Sequence, residues 1–139
     1  MDGVSDVAMF HNTEKYHYLT VANAKFAFDM YKHHHTSPAD RNIFMSPFSI
    51  SVALAMTYLG ARGQTKVQMR QVLHFTDVEE GHLHQAFTDI QSALNKPDQP
   101  YKLYMANRLF GDKSHTFLGE FLAAGRKHYA AELATLDFR

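Results

Sequence analysis

The chain has 139 residues, 45% of them hydrophobic and 20% charged, enough apolar side chain to bury the core of one domain. Fourteen Lys and Arg balance fourteen Asp and Glu, so the basic excess of a general nucleic-acid binder is missing. Cysteine is absent, which excludes disulfides, thiolate catalysis and cysteine-based zinc sites. Ten histidines are the compositional oddity, and they add positive charge as pH falls through about 6 to 7.

The first residues, Met1 to Thr20, are polar and carry His11, Glu14, Lys15 and His17, so they hold no signal-peptide core. No Asn-x-Ser/Thr sequon occurs. A cytoplasmic, reducing location is therefore expected, although a mature secreted chain would share these features and an extracellular one stays open. Thr20 to His35 reads as a helix, with Ala22, Phe26, Met30 and His33 on one face. Thr36-Ser37-Pro38-Ala39-Asp40 breaks it. Ile43-Phe44-Met45 reads as a short buried strand. Ser46-Pro47 then starts a helix, with serine as N-cap and proline at the first helical position.

From Asn42 to Ala61 no residue is charged, which raises a membrane span. Its Asn42, Ser46, Pro47, Ser49, Ser51, Thr57 and Gly60 favour a buried helix instead, and no membrane partner is expected. Gly60 ends that helix. Thr65 with Gln68, and Thr76 with Glu79, both form capping-box patterns. The second opens an amphipathic helix bearing Leu83, Ala86, Phe87, Ile90 and Leu94, which stops at Asn95-Lys96-Pro97. Tyr101 to Phe110 switches to a period of two and reads as a strand covered on both faces. Gly111-Asp112-Lys113 turns into a helix carrying Phe117, Phe121, Leu122, Gly125, His128 and Tyr129. Leu133 to Phe138 is a last strand, parallel to the previous one.

The fold class is thus α+β, with five helices and three strands. A helix apolar all round and two double-faced strands need more cover than these elements supply, so the fold is expected to be incomplete.

Asn42-Ile43-Phe44-Met45-Ser46-Pro47-Phe48-Ser49-Ile50-Ser51-Val52-Ala53-Leu54-Ala55-Met56, continued by Tyr58-Leu59-Gly60-Ala61-Arg62-Gly63-Gln64-Thr65, closely resembles the serpin superfamily. Ala106-Asn107-Arg108-Leu109-Phe110-Gly111, Phe117-Leu118-Gly119-Glu120-Phe121 and Ala134-Thr135-Leu136-Asp137-Phe138 are similar to the second strand, fifth helix and first strand of the large central sheet in that family. The resemblance is greatest to the ovalbumin-like, largely intracellular group, and within it to the leukocyte elastase inhibitor type.

The resemblance implies residues 1–19 as an N-terminal extension and 20–139 as the N-terminal part of one serpin domain. The reactive loop and the C-terminal part lie outside it. It further implies a suicide-substrate inhibitor, not an enzyme, whose cleaved loop inserts into the central sheet. The expected partners are a serine protease and the remaining serpin segment. The alternatives are a non-inhibitory storage, carrier or chaperone serpin, or a free-standing α+β binding module. Asn42, Ser46, Pro47, Ser49 and Leu54 match the shutter, where the sheet parts to admit the loop. Read from the residues alone, Ser46 is a helix cap and Ser49 a small buried polar residue, and both readings stay open.

A catalytic serine is not expected, because no Gly-x-Ser-x-Gly elbow and no paired acid and base occur. His33-His34-His35 cannot converge on one ion from a helix, where neighbours point about 100° apart, so no metal and no cofactor is expected. The histidines read as solvated. Val78 to Asn95 contains no Lys or Arg, so heparin binding through this helix is not expected near neutral pH. Only protonated His82 and His84 could make it attract a polyanion.

Overall fold

Leu19, Ala22 and Phe26 recur at three- and four-residue spacing, and each is buried in the first helix, α1. The computed structural model describes residues 3–35, 42–97 and 100–139, with side chains from Tyr16 onward. Helix α1 spans Gly3–His35, so it begins well before Thr20 and crosses the expected extension boundary without a break. The breaker 36–40 lies outside the described residues.

Helix α2 (Pro47–Gly60) packs on α1 and buries Ser51, Val52, Ala55, Met56 and Tyr58. It is not surrounded on all sides, as its apolar composition suggested. Ala53, Thr57 and Gly60 form an exposed stripe at four- and three-residue spacing, all small enough to leave little apolar area in water. Ile43-Phe44-Met45 forms no strand. Phe44 is fully exposed, and among the described residues no neighbouring strand offers it a ladder of hydrogen bonds.

Neither expected capping box forms. Helix α3 (Gly63–Val72) begins two residues before Thr65, with Arg62 as N-cap and no side-chain cap. Gly63 takes a φ of 55°, a left-handed value that glycine adopts at no steric cost, so the start is set by backbone freedom. Thr76 falls inside a short 3-10 turn, Phe75–Asp77, and α4 (Glu80–Leu94) starts from Glu79.

The expected strand from Tyr101 shortens to β1 (Leu109–Asp112). It pairs in parallel with β2 (Leu133–Leu136), Leu109 opposite Leu133 and Asp112 opposite Leu136. Helix α5 (Gly119–Tyr129) is the crossover between them, as the strand–helix–strand pattern predicts. Gly111 and Asp112 belong to β1. The turn comes later, where the Asp112 carboxylate accepts from the Ser114 backbone N–H at 2.8 Å.

Two glycines test the packing in opposite directions. A methyl added at Gly81, exposed in the first turn of α4, would meet nothing within 4 Å, whereas one added at Gly111 would overlap the ring of Phe117. Gly81→Ala is expected to raise the unfolding free energy by up to about 1 kcal/mol. Gly111→Ala is expected to lower it by about 1–3 kcal/mol through overpacking. Urea midpoints of the two variants check both signs.

Candidate functional site

The shutter candidates start at the N-terminus of α2. Ser46 has extended backbone, and its Oγ accepts the Ser49 backbone N–H at 3.4 Å. The two hydroxyls also share a hydrogen bond of 2.8 Å. Pro47, half-buried, occupies the first helical position, where its missing N–H costs nothing. Ser46 is exposed and Ser49 half-buried, so Ser49 is less enclosed than its sequence context suggested.

Phe48, between them in the chain, lies 6.3 Å from the ring of Phe87 in α4 and so ties the capped end to the core. Leu54, half-buried two turns on, packs against the same core. Asn42 is exposed, because no described segment packs over residues 42–44. The structure therefore joins Ser46 and Ser49 in one cap and leaves Asn42 apart. One turn further, the Ser51 hydroxyl donates to Asn23 Oδ1 of α1 at 2.5 Å, which gives the one buried polar side chain of α2 its partner.

A second constellation lies between α4 and α5, and sequence reasoning missed it. His84 Nδ1 and the Tyr129 hydroxyl share a hydrogen bond of 2.7 Å. His128 stands beside them, its ring centre 6.0 Å from that of His84. The Thr88 hydroxyl donates to the backbone carbonyl of His84 or of His128, each 3.0 Å away. Burial first, then the charge of neighbouring His128, hold the His84 imidazole down to about 4. Burial lowers His128 as well and pushes the Tyr129 hydroxyl up.

His84 is thus a part-buried histidine held toward its neutral form, not a solvated one. The available signal was its place on the helix, one position from Leu83 and three from Phe87, on the flank of the buried stripe. His82, by contrast, is exposed and pairs with Glu79 at 2.9 Å.

A third cluster fixes α3 to α4. Glu80 accepts from Lys66 Nζ at 2.6 Å, from the Tyr58 hydroxyl at 2.8 Å and from Arg70. Burial pushes its carboxyl up, but the hydrogen bonds from Lys66 and Tyr58 and the two cations outweigh that, leaving it below the usual range. His33, His34 and His35 are all exposed at the end of α1. Among the described residues no group of three His, Asp or Glu could hold a metal ion. No described helix is long and apolar enough to cross a membrane.

The profile of the serpin family, serine protease inhibitors, matches residues 21–139. The chain belongs to the serpin family. It is 50% identical over 120 residues to leukocyte elastase inhibitor of Bos taurus, covering 86% of this chain and 31% of that relative. It is 44% identical over 121 residues to the same inhibitor of Homo sapiens, covering 87% and 31%. Ovalbumin of emu, Dromaius novaehollandiae, superposes with a TM-score of 0.79 at 32% identity, over 86% of this chain and 34% of ovalbumin. The ovalbumin-like resemblance and the α+β serpin fold class both hold. The chain spans about a third of the length of the curated relatives it matches.

The depressed His84 gives a pH dependence with a definite sign. An unfolded chain takes up this proton near pH 6.5, whereas the folded one resists until about 4. Stability from the neutral ring is fully present above pH 6.5 and is lost as pH falls toward 4. Allowing for solvent screening, the loss is on the order of 2 kcal/mol. His84→Gln is expected to flatten the slope of unfolding free energy against pH across this window, measured by urea titration.

Proposed function

We propose that residues 20–139 are the N-terminal part of a single serpin domain, preceded by an extension at 1–19. The full-length protein then inhibits a serine protease by loop insertion. The observation that carries this reading is the 50% identity to leukocyte elastase inhibitor over nearly the whole matched region. The protein performs no catalysis of its own. Its partner protease attacks the exposed loop, becomes acylated and is carried with the loop into the sheet.

This segment supplies the part that stays still and the edge that must part. The parallel β1–β2 pair belongs to the central sheet, and the Ser46–Ser49 cap is the shutter residue pair, with Asn42, Pro47 and Leu54 around it. Two hydroxyls that already share one hydrogen bond can exchange partners at low cost, because each can both donate and accept. That is the chemistry a shutter requires. A cytoplasmic location accords with the absence of cysteine, and heparin binding through α4, which carries no Lys or Arg, is not expected.

Two measurements test the reading. The full-length protein, mixed with elastase-, chymotrypsin- and trypsin-like enzymes, is expected to form an SDS-resistant covalent complex with at least one of them. Loop turnover without a trapped band in every case would move the protein to the non-inhibitory serpins.

The shutter assignment has its own test. Ser49→Phe removes the hydroxyl bonded to Ser46 and overpacks the site, at a cost of about 1–3 kcal/mol. In a loop-inserting protein it should also loosen the sheet, so that one molecule's loop enters another's and open chains grow. Full-length Ser49→Phe is therefore expected to form polymers on mild heating in native gels, while Gln64→Phe, exposed on α3, stays monomeric. A monomeric, fully inhibitory Ser49→Phe protein reduces Ser49 to a packing residue.

A further inference from the structure

A cavity of about 360 Å³ lies where the end of α2 meets the start of α5. Its size is within the range of about 300–1,000 Å³ common for small-molecule sites. A close approach sets its floor, since a methyl added at Gly60 would come to 3.2 Å from the Phe121 ring. Beyond that contact both chains leave in extended conformation, at Ala61 and Arg62 after α2 and at Leu118 before α5, and the space between them stays open.

The lining is apolar apart from one cation, Arg62, and one anion, Glu120. Each has an ordinary duty at a helix end. Arg62 donates through Nη1 to the carbonyls of Leu59 and Ala61, both at 2.9 Å. Glu120 sits in the first turn of α5, where a negative charge suits the helix dipole. Neither duty exhausts the group. A guanidinium has five N–H donors, and the three on Nε and Nη2 can still grip a carboxylate side-on. Among the described residues no side chain pairs with Glu120, so Arg62 and Glu120 do not neutralise each other.

The charge balance selects the ligand. The two helix ends carry about half a charge each, of opposite sign, and Arg62 and Glu120 a full one each, so the cavity is neutral overall yet polarised. A ligand with only a carboxylate meets Arg62 but faces Glu120, and one with only an ammonium does the reverse. An uncharged ligand takes water from both groups without replacing it. A molecule carrying both charges satisfies both. Phe121, already stacked on Phe117 with ring centres 6.4 Å apart, offers an aromatic partner for the remainder, and the exposed Leu118 offers cover.

We infer that this cavity binds a free aromatic amino acid as its zwitterion, the carboxylate on Arg62, the ammonium on Glu120 and the ring against Phe121 and Leu118.

The test is isothermal titration of the full-length protein at neutral pH with four probes. These are L-phenylalanine, 3-phenylpropanoate, which lacks the ammonium, 2-phenylethylamine, which lacks the carboxylate, and 2-phenylethanol, which has neither charge. L-Phenylalanine is expected to bind once per molecule and at least tenfold more tightly than each of the others. Glu120→Gln is expected to weaken it at least tenfold while leaving 3-phenylpropanoate no weaker. Arg62→Gln is expected to weaken it similarly while leaving 2-phenylethylamine no weaker. Lys127→Ala, exposed near the other end of α5, is expected to leave it unchanged. Should Arg62→Gln lose its circular-dichroism spectrum, because Arg62 also caps α2, the exposed Glu120→Gln decides alone. Equal binding of 3-phenylpropanoate means a plain cationic surface, of 2-phenylethylamine a plain anionic one, and of 2-phenylethanol an apolar groove. Any of these overturns the inference, as does the absence of saturable L-phenylalanine binding or an unchanged affinity in a folded Glu120→Gln protein.

Discussion

A closed circuit of five rings ties α2, the 3-10 turn, α4 and α5 together. Tyr58 of α2 meets Phe75 of the 3-10 turn, Phe75 meets Phe87 of α4, and Phe87 meets Tyr129 of α5. Tyr129 then meets His84, and His84 returns to Tyr58. The centre-to-centre distances run from 5.8 to 6.1 Å, within the range where offset and edge-to-face pairs attract. Each pair contributes about 0.5–1.5 kcal/mol beyond its area, and none of these four elements can leave without breaking at least two of them. Phe48 attaches to this circuit at Phe87, so the start of α2, with its serine cap, is positioned from the core outward.

The circuit is costly unless its polar tips are satisfied, and that requirement explains the charged residues around it. The Tyr58 hydroxyl donates to Glu80, whose charge Lys66 and Arg70 offset. Arg70 also donates to the Val78 carbonyl at 2.7 Å, which secures the chain between the 3-10 turn and α4. On the other side His84 remains neutral and shares its nitrogen with Tyr129. A protonated ring there would need a carboxylate. Glu80, the acidic group that acts on it, is already committed to Lys66, Arg70 and Tyr58. Among the described residues no buried side-chain nitrogen or oxygen lacks a hydrogen-bond partner.

What was legible in the chain followed from local chemistry. Ser46-Pro47 marked the start of α2 because a cap needs only its own next three residues. The parallel pairing of β1 and β2 followed from strand–helix–strand order and chirality. Features that depend on distant partners were misjudged. Thr65 and Thr76 carry good cap sequences, yet Gly63 and the 3-10 turn fix the helix starts elsewhere. Ile43-Phe44-Met45 and Tyr101 to Arg108 have strand patterns but, among the described residues, no neighbour to pair with, and a pattern alone makes no ladder. His84 was read as solvated because its fate depends on Tyr129 and His128, forty or more residues away in sequence.

The contrast between a firm helical core and open strands bears on how a serpin built on this segment would work. The large side chains left in water include Tyr101, Leu103 and Tyr104 in the segment before β1, Phe110 on it, Leu136 and Phe138 on and just after β2, and Phe44 ahead of α2, besides Tyr18, Phe28 and Tyr31 of α1 and Val67 and Val72 of α3. A two-stranded sheet has little stability of its own, and such surfaces need further strands and cover. Under the proposed reading, the sheet is therefore the part whose packing can change, while the ring circuit keeps α2, α4 and α5 in place. The Ser46–Ser49 cap is anchored through Phe48 to the helical part, with Ser46 exposed and Ser49 half-buried, so its hydroxyls are reachable from outside the core without unpacking the ring circuit.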